Sequence, residues 1–271
     1  AAVLASLLSE AQLSAWGWRL PFLLALPMGL GALWLRLRLD ETPTFRDQEP
    51  AEALPARDVV WAVALGAGRV MGWAAAGYAF LVVLPSYLQT ALHTTFREAL
   101  TATVLANLGF AVTIIPAGLL SDRVGRRPVM LTGAGLVVVL AVPLLDLLQS
   151  PGTPTLVKGP AVLLAGAIVG LMAGPGPALL AEMFPTRVRC TGLGLAYALS
   201  NGVFSGCAGL IITEAVKRTG NVDVPAYYAA GACAVSMLAL FKKTAFNGIA
   251  GKVDGTDAGD RPDVGNVVRR H

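Results

Sequence analysis

The side chains equipped for chemistry in this 271-residue sequence are few and far apart. His93 and His271 stand alone, and Cys190, Cys207 and Cys233 sit in apolar runs without the spacing of zinc ligands. The cysteines read as small buried hydrophobes rather than as a disulfide or a metal site. No nucleophile–base pair can be picked out, and the glycine-rich runs lie inside apolar stretches where a phosphate would not go. A membrane-embedded enzyme would need convergent carboxylates or histidines, and none are present. The expectation is no catalytic residue, no metal and no cofactor.

What remains is charge in unusual places. Arg69 interrupts the apolar run 59–84, about ten residues in. At 1.5 Å rise that is about 15 Å of helix, close to a bilayer midplane. An arginine there costs at least about 2.5 kcal/mol, so a role that offsets the cost is expected. The depth predicts a cavity-facing guanidinium that holds a substrate carboxylate, with snorkelling as the bland alternative. At 100° per residue Trp73, Ala76 and Phe80 share its face, while Tyr78 lies opposite. Farther on, Tyr197, Asn201 and Phe204 form a polar–aromatic stripe, and Asn107 is the polar residue of its own apolar run. Arg69, Trp73, Asn107, Tyr197 and Asn201 are therefore the candidate cavity residues. An interhelical hydrogen bond is the alternative for each polar one.

The elements that must position these residues are membrane helices. Charged residues make up 14% of the chain and hydrophobic ones 55%, with a mean hydropathy of +0.64. A soluble chain carries roughly 25% charge. About seven segments are long and apolar enough to span: 20–35, 59–84, 101–120, 129–148, 160–181, 191–213 and 225–241. Glycines at 166, 170 and 174 read as a packing stripe, as do Gly194, Ala198, Gly202 and Gly206. The run Gly174-Pro-Gly-Pro177 predicts a kink or break.

Basic residues set the orientation. With the segment after the first span placed in the cytoplasm, fifteen of the twenty-one lysines and arginines fall on that side, five fall outside, and Arg69 lies within a span. The C-terminus is then cytoplasmic. Trp16, Trp18, Tyr87, Tyr227 and Tyr228 fall near outer boundaries, as interfacial anchors do. The scattered charge forms no basic stripe, so nucleic acid is not an expected partner.

The densest signal is Gly118-Leu-Leu-Ser-Asp122-Arg123-Val-Gly125-Arg126-Arg127-Pro128, between the third and fourth spans. A charged turn would explain its composition but not the crowding of an acid and three arginines around one glycine. The segment resembles the loop motif of the major facilitator superfamily at almost every position. Further stretches (WGWRLPF at 16–22, ETPTF at 41–45, LPSYL at 84–88, EMFPTRVR at 182–189 and PAYY at 225–228) are similar to the metabolite/proton symporter group, the proline/betaine type above all.

The resemblance implies an all-α integral membrane fold, the C-terminal six-helix bundle of a major facilitator plus the preceding helix. The expected parts are 1–39 (end of an N-terminal half), 40–58 (cytoplasmic linker), 59–241 (the bundle) and 242–271 (a disordered cytoplasmic tail). It implies secondary transport of a small polar metabolite across the cell membrane by alternating access, with the missing N-terminal half and the bilayer as partners. The coupling ion would be a proton, and since no deep carboxylate appears in any span, its carrier would lie in the missing half. The resemblance also casts Gly118, Asp122, Arg123, Gly125, Arg126 and Arg127 as a cytoplasmic gate. Arg126 would pair across to the other half, and Glu182, Arg187 and Arg189 would join the network or act as topology anchors. A sugar facilitator, a drug/proton antiporter and a non-transporting scaffold or half-transporter are the alternatives.

Overall fold

The computed structural model describes residues 15–38, 55–91, 94–150 and 155–242, with positions 9 and 12 before them. Most of the expected linker, the expected tail, His93 and His271 lie outside the described residues. All regular structure among the described residues is helical. The chain divides into two compact units, Ala1–Ala53 and Leu54–His271.

The first unit carries α1 (Leu20–Arg38), entered through a 3₁₀ turn at Gly17–Arg19. Arg36 and Arg38 lie in its last turn, where the helix dipole favours cations, and Arg38 stacks over the Trp34 ring at 4.2 Å. This helix is the first predicted span.

In the second unit the helices are α2 (Ala56–Gly77), α3 (Leu84–Ala91), α4 (Phe96–Val124), α5 (Arg126–Gln149), α6 (Thr155–Ala173), α7 (Gly176–Met183), α8 (Thr186–Ser200), α9 (Ala208–Thr219) and α10 (Val224–Phe241). Two joins are π turns, Tyr78–Val83 between α2 and α3 and Asn201–Gly206 between α8 and α9. Six stretches of this unit are long and apolar enough to cross a membrane. Local chemistry sets their ends. A capping box starts α4, with Glu98 N donating to Thr95 Oγ1 at 3.3 Å and Thr95 N to Glu98 Oε2 at 3.0 Å. Gly174 and Pro175 end α6 and α7 resumes one residue later, the break that the Gly-Pro-Gly-Pro run predicts.

Packing follows a sequence of neighbours: α4 on α6, α6 on α5, α5 on α10, α10 on α2, α2 on α8. The two ends of that arc are the least covered. The α4 span and the α8–α9 span bury 17% and 22% of their apolar windows, against 61% for the α2 and α6–α7 spans.

The α4–α6 seam is a backbone contact. A Cβ on Gly166 would overlap the Ala106 carbonyl, and one on Gly109 would overlap that of Leu163. Farther along, a Cβ on Gly170 would sit 2.7 Å from Phe110 O, and one on Gly174 2.7 Å from Gly118 N. The predicted glycine stripe of the fifth span is thus a packing surface. The second predicted stripe is not one within this bundle. Gly194 and Gly202 have nothing within 4 Å of an added Cβ, because α8 turns that face away from its neighbours. Of the cysteines, Cys233 is buried while Cys190 and Cys207 are exposed, which corrects the expectation for those two.

Gly166→Ala should therefore lower the unfolding temperature of the detergent-solubilised protein, by an amount equivalent to about 1–3 kcal/mol of overpacking. Gly194→Ala should leave it unchanged or slightly raised, since alanine is the better helix former. Thermal unfolding followed by tryptophan fluorescence checks both.

Candidate functional site

The motif loop is built around two backbone requirements. Gly118 sits where α4 touches the break after α6, so the α4–α6 seam runs directly into the loop. Gly125 joins α4 to α5 with φ 104° and ψ 150°, a region open essentially to glycine alone. That tight join folds Arg126 back over the end of α4. Its Nη1 is ion-paired with Asp122 and donates to Ser121 Oγ at 2.8 Å, and Ser121 in turn donates to Gly118 O at 2.7 Å. Its Nε donates to Glu182 Oε1 on α7 at 3.1 Å. Arg126 is thus shared between the ends of two helices of the same bundle, α4 and α7. Both carboxylates are more than half exposed, so the pairs are solvent-screened and tie positions more than they stabilise.

The other motif residues divide. Arg123 is exposed, and Arg127 is half-buried beside a cavity. Arg189 does not join the acidic pair; its Nε donates to Phe184 O at 3.2 Å, at the turn into α8. The Arg187 side chain lies outside the described residues.

Arg69 has a different place from the one its depth suggests. It is 1% exposed, and its guanidinium donates through Nε to Ala239 O at 3.3 Å and through Nη2 to Lys242 O at 2.5 Å. Ala239 lies in the last turn of α10 and Lys242 is its C-cap, where the helix dipole favours a cation. The guanidinium thus finds acceptors at the end of a neighbouring helix. Its bonds to Ala239 O and Lys242 O, and the cavity lining it shares with Gly125, Arg126 and Arg127, put Arg69 level with the end of α10 and the motif loop. The seam around it is tight. A Cβ on Gly72 would meet Ser236 Cβ at 2.9 Å and one on Gly68 would meet Ala239 Cβ at 3.2 Å, while Ser236 Oγ donates to Arg69 O at 2.6 Å. The Gly68–Gly72 spacing around Arg69 is the sequence signal for this seam. Ala76 and Phe80, on the same predicted face, are buried too.

Three of the remaining cavity candidates come together. The rings of Trp73 and Tyr197 pack at 5.9 Å between centroids and 55° between planes, and Asn201 is one turn beyond Tyr197. Asn201 Nδ2 donates to Tyr197 O at 3.0 Å within its own helix, a bond that does not use its amide oxygen. Tyr197 is 41% exposed, on the open side of the arc. Asn107 stands apart on the exposed face of α4, bonded to Thr103 O at 2.9 Å.

The π turn after Ser200 is held by two contacts that no sequence pattern announces. Tyr228 OH donates to Phe204 O at 2.6 Å and Ser205 Oγ donates to Ala74 O at 2.9 Å. A π turn shifts the usual hydrogen-bond ladder, and side chains take up what it releases. At the end of the bundle away from the motif, Tyr87 OH donates to Val222 O at 2.8 Å, and Gln149 Nε2 donates to Asp223 Oδ1 at 2.7 Å and to Tyr87 OH at 3.0 Å. Burial, then the Asp223 charge, push the Tyr87 phenol up to about 12, so it remains a donor. Tyr87 and Tyr228 thus turn inward as donors, whereas Trp16 and Tyr227 are exposed as anchors would be.

Arg69→Ala should destabilise the protein by about 1.5–3 kcal/mol per lost charged hydrogen bond, and Arg69→Lys should recover only part because an ammonium lacks the planar fork. Gly125→Ala should cost about 1–3 kcal/mol of backbone strain. Thermal melts in a fixed detergent would rank the three variants against wild type.

The profile of the Major Facilitator Superfamily matches residues 70–249. The chain is 30% identical to a glycine betaine/proline/ectoine/pipecolic acid transporter of Dickeya dadantii, over 99% of this chain and 56% of that protein. It is 33% identical to an ectoine/proline transporter of Corynebacterium glutamicum, over 84% of this chain and 48% of that protein. It is 35% identical to an alpha-ketoglutarate permease of Escherichia coli K12, over 76% of this chain and 48% of that protein. No solved structure gives a significant match. The chain spans about half the length of the curated relatives it matches. With a matching profile over most of its length and six apolar membrane-length helices, this chain is a multi-pass membrane protein and belongs to the major facilitator superfamily.

Proposed function

We propose that this bundle serves as one half of a secondary transporter for a small polar metabolite, of the proline/betaine or organic-acid class, working by alternating access in symport with protons. The observation that carries the reading is the match along most of the chain to relatives whose names specify proline, betaine, ectoine and alpha-ketoglutarate. An enzymatic role has no support beside it. The cell membrane is the proposed location, with the motif loop and the C-terminus on the cytoplasmic face.

The geometry is compatible with that role in three ways. The arc leaves α4 and α8–α9 largely uncovered, as edges that meet a second bundle would be. The Trp73–Tyr197 pair and Asn201 offer aromatic faces and an amide oxygen to a ligand on the open side. Such faces suit the quaternary ammonium of a betaine, and the amide oxygen suits the secondary ammonium of proline. Asn107, on the other edge helix, would contribute across the same opening. Arg126, shared between Asp122 and Glu182, would serve as the charged latch that is remade as the halves rock. Because Arg69 is committed to the end of α10, a substrate carboxylate needs another partner in this scheme.

Uptake of radiolabelled proline, glycine betaine and 2-oxoglutarate into proteoliposomes, with and without an inward proton gradient, tests the reading on the full-length protein. Gradient-driven uptake of at least one solute is expected. Trp73→Ala and Tyr197→Ala should each raise KM for it, by up to about tenfold for a desolvated cation–π contact. Unchanged KM in both variants would remove the aromatic pair from the site. No uptake of any of the three solutes would overturn the substrate class.

A further inference from the structure

Beside the motif loop lies an open cavity of about 340 Å³ whose lining includes Arg69, Arg126, Arg127, Leu179, Glu182 and Met183. Three of these are arginines and one is an acid. The acid is already engaged, since Glu182 accepts from Arg126, and Asp122 is ion-paired with the same arginine. No acidic partner of Arg127 is found among the described residues, and it shares the cavity lining with Arg69. A third source of positive potential adds to these. The N-terminus of the 24-residue α5 opens at Gly125–Arg126, with no acidic residue in its first turn and no side-chain cap. Like charges gathered around a solvent-open cavity are costly unless an anion screens them.

We infer that this cavity is a binding site for a phosphate-class anion, held by Arg127 and the open N-terminus of α5 and supported by the Arg69 charge. A planar guanidinium and free backbone N–H groups match the oxygens of a phosphoryl group. Leu179 and Met183 supply an apolar wall on one side, so the cavity suits a phosphoryl group borne by an anionic phospholipid as well as one free in solution. The site is separate from the Trp73–Tyr197 pair and does not depend on which solute the protein carries. The motif's arginines then divide the work, with Arg126 organising the loop and Arg127 meeting the ligand.

Two binding arms distinguish the sources. In detergent, inorganic phosphate is titrated by calorimetry at ionic strength held constant with chloride. In nanodiscs, retention of phosphatidylglycerol is compared with that of phosphatidylcholine by native mass spectrometry. Saturable phosphate binding points to a free anion, and selective retention of phosphatidylglycerol points to a lipid headgroup. In either case Arg127→Ala should weaken the binding about tenfold or more, and Arg127→Gln repeats the test if the alanine variant does not fold. Arg123→Ala is the control, because it removes one charge from the same loop at an exposed position outside the cavity lining. Binding in neither arm overturns the inference. An equal loss in Arg123→Ala also overturns it, since that would be the diffuse field of the loop and not a site.

Discussion

The contact on which the bundle depends is the approach of two backbones, α4 and α6, to a separation that leaves no room for side chains. Between helices in lipid there is no hydrophobic drive to associate, because the solvent is as apolar as the side chains. Dispersion and weak Cα–H contacts must serve instead, and both need close approach. Glycines 109, 166, 170 and 174 provide it, on both sides of the seam. The rest of the motif end follows from that alignment. The seam ends where Gly118 meets Gly174, which sets α4's last turn beside the break before α7 and brings Glu182 within reach of Arg126. A charged loop that looks like the organising feature of the sequence is in this sense downstream of four missing side chains.

The α2–α10 seam applies the same economy to a charge. A helix that ends against protein leaves carbonyls without partners, and a buried arginine without acceptors would be prohibitive. Placing one against the other removes both costs together. Ser236 completes the arrangement by donating to the Arg69 carbonyl, so the two helices are bonded in both directions at one level. The tightness of the seam, with Gly68 and Gly72 flanking the arginine, is what allows the guanidinium to reach a neighbouring backbone.

Much of this is legible in the residues alone. The apolar segments, the break at Gly174–Pro175 and the glycine stripe of α6 follow from length, composition and spacing, which are local properties. Three features are not. Depth counted along one helix does not show that Arg69 lies level with the end of α10, because the neighbouring helix sets that level. The glycine stripe of α8 looks like packing because small-residue spacing tells which face is smooth but not whether anything lies against it. Tyr87 and Tyr228 look interfacial because an aromatic near a span end has two equally good uses, as an anchor or as a donor to a released carbonyl. In each case the deciding information is the identity of the neighbour, which one sequence does not contain. For the candidate site, the pairing of Trp73 with Tyr197 is within reach of helical phase, but the separation of Asn107 from them is not, since it depends on α4 and α8 being opposite ends of the arc.

The two π turns bear on how such a chain can change in length. A π turn accommodates one residue more than an α-helical turn needs, and each residue of α-helix advances the face by about 100°. The segments beyond Val83 and Gly206 therefore present faces that an uninterrupted helix of the same sequence would point elsewhere. Deleting one residue within Tyr78–Val83 or Asn201–Gly206 would restore plain α-helix and keep the downstream face in register. Deleting one in the unbroken helix α10 would rotate everything after it. These two turns are consequently places in the membrane-spanning part where a one-residue deletion can be absorbed without repacking, a tolerance usually reserved for loops.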